Sequence, residues 1–286
     1  MRLFALLKQR KLRPTWKYKS HGIIWRVVPT EFEQLVGEQR DIEKKEVSFF
    51  CVGQRTGEVA WENKTYGEQW WMGIEAVHKD ILLLHRFATP DMPQHKGITA
   101  VDLSTGKQLW SHGDLKFATV QNATVVASKD SFEGSKLVEV HYRTGEPVHS
   151  VNEVDAMAGM PGKTGAMNPE NEMRFPIPEE TPSDSVQQHC ETREKVGPVE
   201  VLETNELVIF NYHRHAPGRD RDHMRVDNIL RVLEKESGSV IYADTLNTGA
   251  PGIVPDSFFV LRDTLYYVKD RNTLTAVRLT SRLPME

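Results

Sequence analysis

Two histidines and a pair of adjacent tryptophans are the residues best suited to ligand binding in this chain. Trp70 and Trp71 precede His85 and His95, and Asp91 lies between the two histidines. Imidazole and carboxylate groups accept protons and bind cations, while indole rings offer flat apolar faces. These five residues are therefore the predicted ligand-binding residues. The competing interpretation is that both tryptophans are packing residues and that His85 is a hydrogen-bonded strand histidine.

The segment from Phe87 to Gly97 is predicted to be a loop that Pro90 and Pro93 hold in shape. It is too long for a simple hairpin turn, and long loops on a rigid scaffold often carry binding residues. We therefore expect this loop, which contains Asp91 and His95, to carry binding residues.

A second group of possible metal ligands contains His213, His215 and His223, with two aspartates between the last two histidines. Residues i and i+2 of a strand point to the same face, as a metal-binding pair requires. Three arginines are interleaved with this group, however, and their positive charge disfavours a cation. A solvated polar loop is the favoured interpretation, and no metal site is predicted.

Other sequence motifs for catalysis are missing. The sequence contains no glycine-rich phosphate loop, no Gly-x-Ser-x-Gly and no His-Glu-x-x-His, so hydrolase and nucleotide chemistry lack support. Glu38, Arg40 and Asp41 are equally well explained as an ion-pair network within one sheet. No cofactor is expected.

The composition is that of an ordinary globular protein. The 286 residues carry a net charge of −4 with a pI near 6.3, which gives no general attraction to nucleic acid or anionic membranes. No apolar run approaches the roughly 20 residues of a membrane span, and the N-terminal apolar run is short for a secretion signal. Cys51 and Cys190 form no metal or redox motif, so a cytoplasmic location is expected.

A short turn motif recurs along the chain, between strand-like segments. Thr-Gly or Ser-Gly occurs at Gly57, Gly106, Gly145 and Gly238, and a bulky residue follows four positions after each glycine. The first three glycines are 49 and 39 residues apart, and the last follows after 93. Such a recurrence of short strands indicates a β-propeller, with one four-stranded blade per repeat.

The repeats predict one all-β domain over residues 1–286, with five blades or, alternatively, six. The chain ends where the outer strand of the last blade should begin, so the N-terminal segment around Trp16 is expected to supply that strand and close the ring. The proline-rich residues 152–198 are predicted to be an irregular excursion between the third and fourth blades. A disordered insert and a degenerate blade are the alternatives.

The segment Ala100–Trp110 resembles the repeat of the pyrroloquinoline-quinone-type propellers, a group within the broader WD40-like and quinoprotein-like propellers. In that group the tryptophan of one blade packs on the glycine of a neighbouring repeat. Six further segments resemble an uncharacterised bacterial family, a domain of unknown function: Ile24–Arg26, Glu38–Asp41, Glu68–Glu75, Leu83–His85, Pro93–Gly97 and Asp256–Phe259.

These resemblances imply a propeller-like fold and bring no activity with them. Quinoprotein dehydrogenases resemble rings of eight blades with a vicinal cysteine pair, whereas this chain is much shorter and its two cysteines are far apart. Quinone catalysis is therefore rejected. An envelope assembly factor would need a leader followed by a lipid-modified cysteine, and Cys51 is too far into the chain.

The sequence thus favours a non-catalytic propeller that serves as a scaffold or binding protein for a protein or small-molecule partner. The alternative is a small-molecule-binding protein or enzyme that uses the loops around Trp70, His85 and His95 at the mouth of a central channel.

Overall fold

The structure of this chain is a computed structural model that describes residues 10–89, 92–132, 134–148, 172–190, 195–217 and 225–280. Over these ranges the chain forms twenty-two strands and one four-residue helix, α1 (Asp184–Gln187). All of the strand pairs are antiparallel. The all-β prediction is confirmed.

The first compact unit, Ser20–Asn171, contains three four-stranded sheets whose strand order follows the chain. Sheet 1 contains β2 (Ile23–Pro29), β3 (Gln34–Asp41), β4 (Glu46–Gly53) and β5 (Val59–Lys64). Sheet 2 contains β6 (Met72–His78), β7 (Ile81–Thr89), β8 (Met92–Asp102) and β9 (Gln108–His112). Sheet 3 contains β10 (Leu115–Gln121), β11 (Thr124–Ser131), β12 (Gly134–His141) and β13 (Pro147–Val148).

The second compact unit, Met1–Lys19 with Glu172–Glu286, contains two five-stranded sheets. Sheet 4 contains, in spatial order, β15 (Ile177–Glu179), β16 (Lys195–Glu203), β17 (Leu207–His215), β18 (Val226–Glu234) and β19 (Val240–Ala250). Sheet 5 contains β1 (Pro14–Lys19), β22 (Thr273–Arg278), β21 (Thr264–Lys269), β20 (Phe258–Leu261) and β14 (Met173–Arg174).

Asp102 holds the turn of the strongest repeat. Its carboxylate accepts hydrogen bonds from the backbone N–H and the hydroxyl groups of Ser104 and Thr105. Gly106 then takes a φ of +66°, which a residue with a Cβ adopts only with strain. The sequence Asp-x-Ser-Thr-Gly therefore closes the hairpin between β8 and β9.

Tryptophans of two repeats pack on glycines of the following repeats, as the resemblance to the quinone-type propellers implies. A Cβ on Gly106 would lie 2.8 Å from the Trp61 ring, and one on Gly145 would lie 2.6 Å from the Trp110 ring. Each indole N–H also donates to a backbone carbonyl of the following repeat, at 2.7 and 2.9 Å. These contacts join sheet 1 to sheet 2, and sheet 2 to sheet 3.

Each main hydrophobic cluster is shared by consecutive elements of one unit. Phe49 of sheet 1 and Leu84 of sheet 2 belong to one cluster, and Leu83 of sheet 2 packs with Val125 of sheet 3 in another. In the other unit, Leu230 of sheet 4 and Tyr267 of sheet 5 share a cluster. The sheets within each unit therefore pack face to face in chain order.

The predicted pairing of the chain's two ends is present, because β1 pairs with β22 and places Trp16 opposite Ala276. Trp16 is buried and contacts the ring of Tyr266. The blade count and the closure of a ring remain predictions.

The proline-rich segment differs in part from the predicted excursion. Residues 152–171 lie outside the described residues, but 172–198 contribute β14 to sheet 5, β15 to sheet 4 and the first part of β16. The same segment contains the four-residue helix α1. Short edge strands of this kind lack the alternation of longer strands, which is why the sequence pattern missed them.

Candidate functional site

The structure brings three of the five predicted binding residues together. His85 and His95 stack on each other. Phe87 meets both rings edge-on, with ring centroids 5.2 and 5.4 Å apart. The rings of Trp71 and Phe87 also meet edge-on, with centroids 6.0 Å apart. Asp91 lies outside the described residues.

The prediction of a loop between Phe87 and Gly97 is wrong. Strand β7 continues to Thr89 and β8 begins at Met92, so the segment is a long hairpin in which Phe87 pairs with His95. Paired residues of an antiparallel sheet share a face, and so do residues i and i+2 of one strand. His95 therefore lies on the same face as Phe87 and His85.

Two bulges adjust this face. The pairing of β6 with β7 shifts between Ile74 and Ala76, which leaves Glu75 as an extra residue. The pairing of β7 with β8 shifts between His85 and Arg86, beside Gly97 with its φ of +87°. A bulge re-aims the side chains next to it, and bulges are common beside functional sites.

Glu75 is the centre of what we call the Glu75 cluster: Glu75, His85 and His95. Its Oε2 atom lies 2.8 Å from His95 Nδ1 and 3.1 Å from His85 Nδ1. The two imidazole rings are nearly parallel, with centroids 3.5 Å apart and planes 7° apart. One carboxylate oxygen therefore lies close to a nitrogen of each ring and forms a hydrogen bond with His95 Nδ1.

The electrostatics of the cluster keep Glu75 ionised. Burial alone raises the pKa of a carboxyl, but the contacts and the charge of His85 and His95 outweigh it and hold the pKa of Glu75 below its usual value. The cluster thus places an ionised carboxylate beside two histidine rings.

Gly73 makes room for the buried imidazole. It lies directly opposite His85 on β6, and a Cβ there would lie 3.0 Å from the His85 ring and 3.0 Å from Glu38 Oε2. His85 is 7% exposed, so its ring has little freedom to move away. Gly73 therefore leaves free the space that the His85 ring occupies.

A buried ion pair holds the chain just before the cluster. Arg40 Nη2 lies 2.6 Å from Glu38 Oε1. The guanidinium also donates to the backbone carbonyls of Trp70 and Met72, at 3.0 and 2.8 Å. The other oxygen of Glu38 accepts from the N–H of Ile74 at 3.1 Å. This pair anchors the start of β6, the strand that carries Glu75.

The ion pair therefore extends further than the network predicted within one sheet, since it joins sheet 1 to sheet 2. Arg40 also lies over the rings of Trp70 and Trp25, at 4.9 and 5.4 Å. Trp70 is thus placed on Arg40, apart from the Glu75 cluster. Asp41 pairs instead with Lys44 in the adjoining turn, at 3.1 Å.

The second predicted group of ligands is not assembled in the described part of the chain. His213 is 1% exposed, and its Nε2 accepts a hydrogen bond from the N–H of Val254 at 3.1 Å. Burial lowers the pKa of His213, which favours the neutral ring that this bond requires. His215 is exposed, and His223 lies outside the described residues.

The two cysteines are free and buried. Burial raises the pKa of Cys51 to about 12 and that of Cys190 to about 11. Both thiols therefore stay protonated at neutral pH, which makes them poor nucleophiles.

Sequence reasoning missed Glu75 and Phe87. Phe87 lies at the start of the predicted loop, and Glu75 belongs only to a segment that resembles the family of unknown function. A glutamate in the middle of an otherwise apolar strand, ten residues before a strand histidine, was the available signal. It does not specify a bulge, so the meeting of Glu75 with two histidines could not be derived from spacing.

Three comparisons with known proteins bear on the family and the fold. The model of a family described as a domain of unknown function, DUF4905, matches residues 28–110. That span runs from the end of β2 to within β9 and includes the whole Glu75 cluster. It confirms the resemblance to a family of unknown function for this part of the chain. No curated protein matches the chain significantly.

Among solved structures, the β-propeller domain of the Trilobed protease from Pyrococcus furiosus, described as having an open velcro topology, is 10% identical. Its TM-score is 0.29, over 93% of this chain and 71% of that chain. The uncharacterized protein lmo1340 from Listeria monocytogenes EGD-e is 7% identical, with a TM-score of 0.33 over 93% and 97%. Scores this low do not by themselves establish a shared fold.

Among the described residues, no helix has the length and apolar character that crossing a membrane would require.

Proposed function

We propose that this protein is a non-catalytic binding protein, a five-bladed β-propeller that holds a ligand at the Glu75 cluster. The observation that carries the proposal is the convergence of His85 and His95 on one oxygen of Glu75, at 3.1 and 2.8 Å. Phe87 and Trp71 add an aromatic wall beside these polar groups. Apolar surface with a few converging polar groups is typical of small-ligand sites.

The five sheets support the propeller architecture. In each unit, sheets consecutive in the chain share a hydrophobic core. Trp61 on Gly106 connects sheet 1 to sheet 2, and Trp110 on Gly145 connects sheet 2 to sheet 3 in the same way, so we call this contact the tryptophan–glycine joint. β1 completes the sheet formed by the C-terminal strands, so one sheet contains both ends of the chain. Such pairing is a common way for a ring of blades to close.

The cluster is open on one side. The side chain of His95 is 40% exposed, whereas those of His85 and Glu75 are 9% and 17% exposed. Trp71 is 37% exposed. A ligand therefore reaches the cluster from the side of His95 and Trp71, and His85 and Glu75 form the floor.

Binding is favoured over catalysis by the state of the groups present. The cluster's polar atoms contact one another, both cysteines are protonated, and the sequence has no recognised nucleophile motif. A cytoplasmic location accords with two free thiols and remains part of the proposal.

Thermal unfolding with a panel of divalent cations, organic acids, amines and sugars tests the proposal. We expect at least one compound to raise the Tm of the wild-type protein, and the rise to disappear in Glu75→Gln and His95→Ala. The matched control is His78→Asn, since His78 lies on β6 outside the cluster and contacts Tyr142. Equal shifts in all four proteins, or no shift in any, would contradict binding at the cluster.

A further inference from the structure

We propose that Glu75, His85 and His95 bind a divalent first-row transition metal ion. This inference rests on the proposed function, because it names the ligand of the same site. One candidate ligand atom from each residue lies within 4.8 Å of the other two.

The distances suit a shared ion. Zinc binds imidazole nitrogen and carboxylate oxygen at about 2.0–2.2 Å, so ligand atoms around a tetrahedral ion lie about 3.3–3.5 Å apart. Glu75 Oε2 lies 2.8 and 3.1 Å from the two Nδ1 atoms, slightly closer than that. The carboxylate oxygen therefore lies near enough to both nitrogens to share an ion with them once the rings are correctly oriented.

His85 Nδ1 supplies an independent observation. It is buried, and among the described residues it has no hydrogen-bond partner, although Glu75 Oε2 is only 3.1 Å away. The carboxylate oxygen is near the nitrogen but poorly aligned with its N–H or lone-pair axis. Two ligand atoms of one metal ion lie close together without a hydrogen bond between them, because the lone pair of each points at the ion. A buried polar atom without a partner is costly, and an ion would remove that cost.

The donor set selects the class of metal. Two imidazoles and one carboxylate suit zinc and its neighbours in the first transition row, whereas calcium and magnesium prefer oxygen ligands. Arg86 and Lys96 pair with each other at positions that alternate with Phe87 and His95, so they belong to the other face of the sheet. The positive charges of Arg86 and Lys96 are thus directed away from this cluster, whereas the sequence around His213 and His215 has arginines interleaved with the candidate ligands.

Metal binding requires one ring to move. Parallel imidazoles 3.5 Å apart cannot both aim an in-plane lone pair at the same ion. His85 is held in place over Gly73, whereas the side chain of His95 is 40% exposed. His95 therefore turns out of the stack when the ion binds, and a water molecule or an external ligand completes the coordination.

The test is isothermal titration of the full chain, freed of metal by a chelator, with Zn²⁺ and separately with Mg²⁺. We expect one equivalent of Zn²⁺ to bind and Mg²⁺ not to bind. Glu75→Gln and His95→Ala should each weaken Zn²⁺ binding at least about 10-fold, and the control His78→Asn should leave it unchanged. His95 is partly exposed, so its replacement keeps the test valid if Glu75→Gln fails to fold.

NMR of the imidazole nitrogens gives a second measurement. Zn²⁺ should shift Nδ1 of both His85 and His95, and the ring-current signature of their stacking should vanish. Failure of Zn²⁺ to bind, or equal binding by wild type, Glu75→Gln and His95→Ala, would overturn the inference. If an organic compound of the thermal panel still requires the cluster while Zn²⁺ does not bind, the metal is wrong and the proposed function stands.

Discussion

At the scale of single residues, Gly73 shows that the site depends on a missing side chain as well as on those present. Gly73→Ala places a methyl group 3.0 Å from both the His85 ring and Glu38 Oε2. His85 is buried and Glu38 is held by Arg40, so neither can retreat easily. We expect a loss of about 1–3 kcal/mol in unfolding free energy, together with loss of ligand binding.

Gly113→Ala is the matched control for this prediction, since no atom lies within 4 Å of a Cβ there. Urea unfolding of both variants measures the difference. A Gly73→Ala protein as stable as Gly113→Ala, with binding intact, would show that the space over Gly73 is not needed.

Asp102 provides a prediction of pH dependence. Burial alone raises its pKa, but hydrogen bonds from Ser104, Thr105 and Arg143 outweigh that effect and lower the pKa to about 2. A carboxyl with a lowered pKa stabilises the fold above its unfolded value of about 3.9 and loses that contribution as the pH falls toward 2. The stability advantage of wild type over Asp102→Asn should therefore shrink by about 1 kcal/mol from pH 6 to pH 3.

The measurement is urea unfolding of both proteins at the two pH values. Asp114→Asn is the control, because Asp114 is half exposed and pairs with Lys129 at the surface. It should change stability by less than about 1 kcal/mol at pH 6. A constant difference between wild type and Asp102→Asn would disprove the assigned ionisation.

The residues also show what sequence alone can reach. His85 and His95 were predicted as binding residues from their side-chain chemistry, and the structure places them in contact. Glu75 was missed because its meeting with them depends on a bulge, which has no reliable sequence signature. Trp70 was included for its ring, but it contacts Arg40. Side-chain type indicates candidates, whereas strand register decides which of them meet.

At the scale of elements, the tryptophan–glycine joint is the recurring connection between sheets. Gly145→Ala should clash with the Trp110 ring, since its Cβ would lie 2.6 Å from that ring. We expect a loss of about 2–4 kcal/mol, from strain at a φ of +72° together with the displaced tryptophan.

Gly238→Ala separates these two causes. Gly238 also has a positive φ, +64°, but no atom lies within 4 Å of a Cβ there. Its replacement should cost only the backbone strain, about 1–2 kcal/mol. Equal losses for the two variants, measured by urea unfolding, would refute a specific contribution from Trp110.

The N-terminal strand is the second element open to test. Trp16 is 8% exposed and packs on Tyr266 of sheet 5, so Trp16→Ala should cost about 3–5 kcal/mol. Trp25→Ala is the control, because Trp25 is 61% exposed and should cost far less. Comparable losses in thermal or urea unfolding would argue against the docking of β1 on β22.

Most strands could be predicted because alternation and Gly-containing turns mark them directly. In β1, for example, Trp16 and Tyr18 are buried while the residues between and beside them are exposed. The hairpin of β7 and β8 could not be predicted, since Pro90 and Pro93 favoured a loop. Pairing across the hairpin overrides that local preference, and the register irregularities near Thr89 accommodate it.

At the scale of the whole molecule, the repeat predicted a succession of antiparallel sheets, and the described residues form five. The spacing of 93 residues after Gly145 left open whether another blade was hidden there. The described part of that segment instead adds edge strands to sheets 4 and 5. Pairing between segments distant in the chain is decided by tertiary packing, so repeat spacing alone could not resolve it.

Our proposal that these five sheets are the blades of one ring is open to a direct test. A crystal structure of the full chain tests it most directly. If the proposal is right, we expect five sheets around a common axis, with sheet 5 packed against sheet 1 and no further blade. Two separate stacks of sheets without a shared axis, or a sixth blade between sheets 3 and 4, would contradict it.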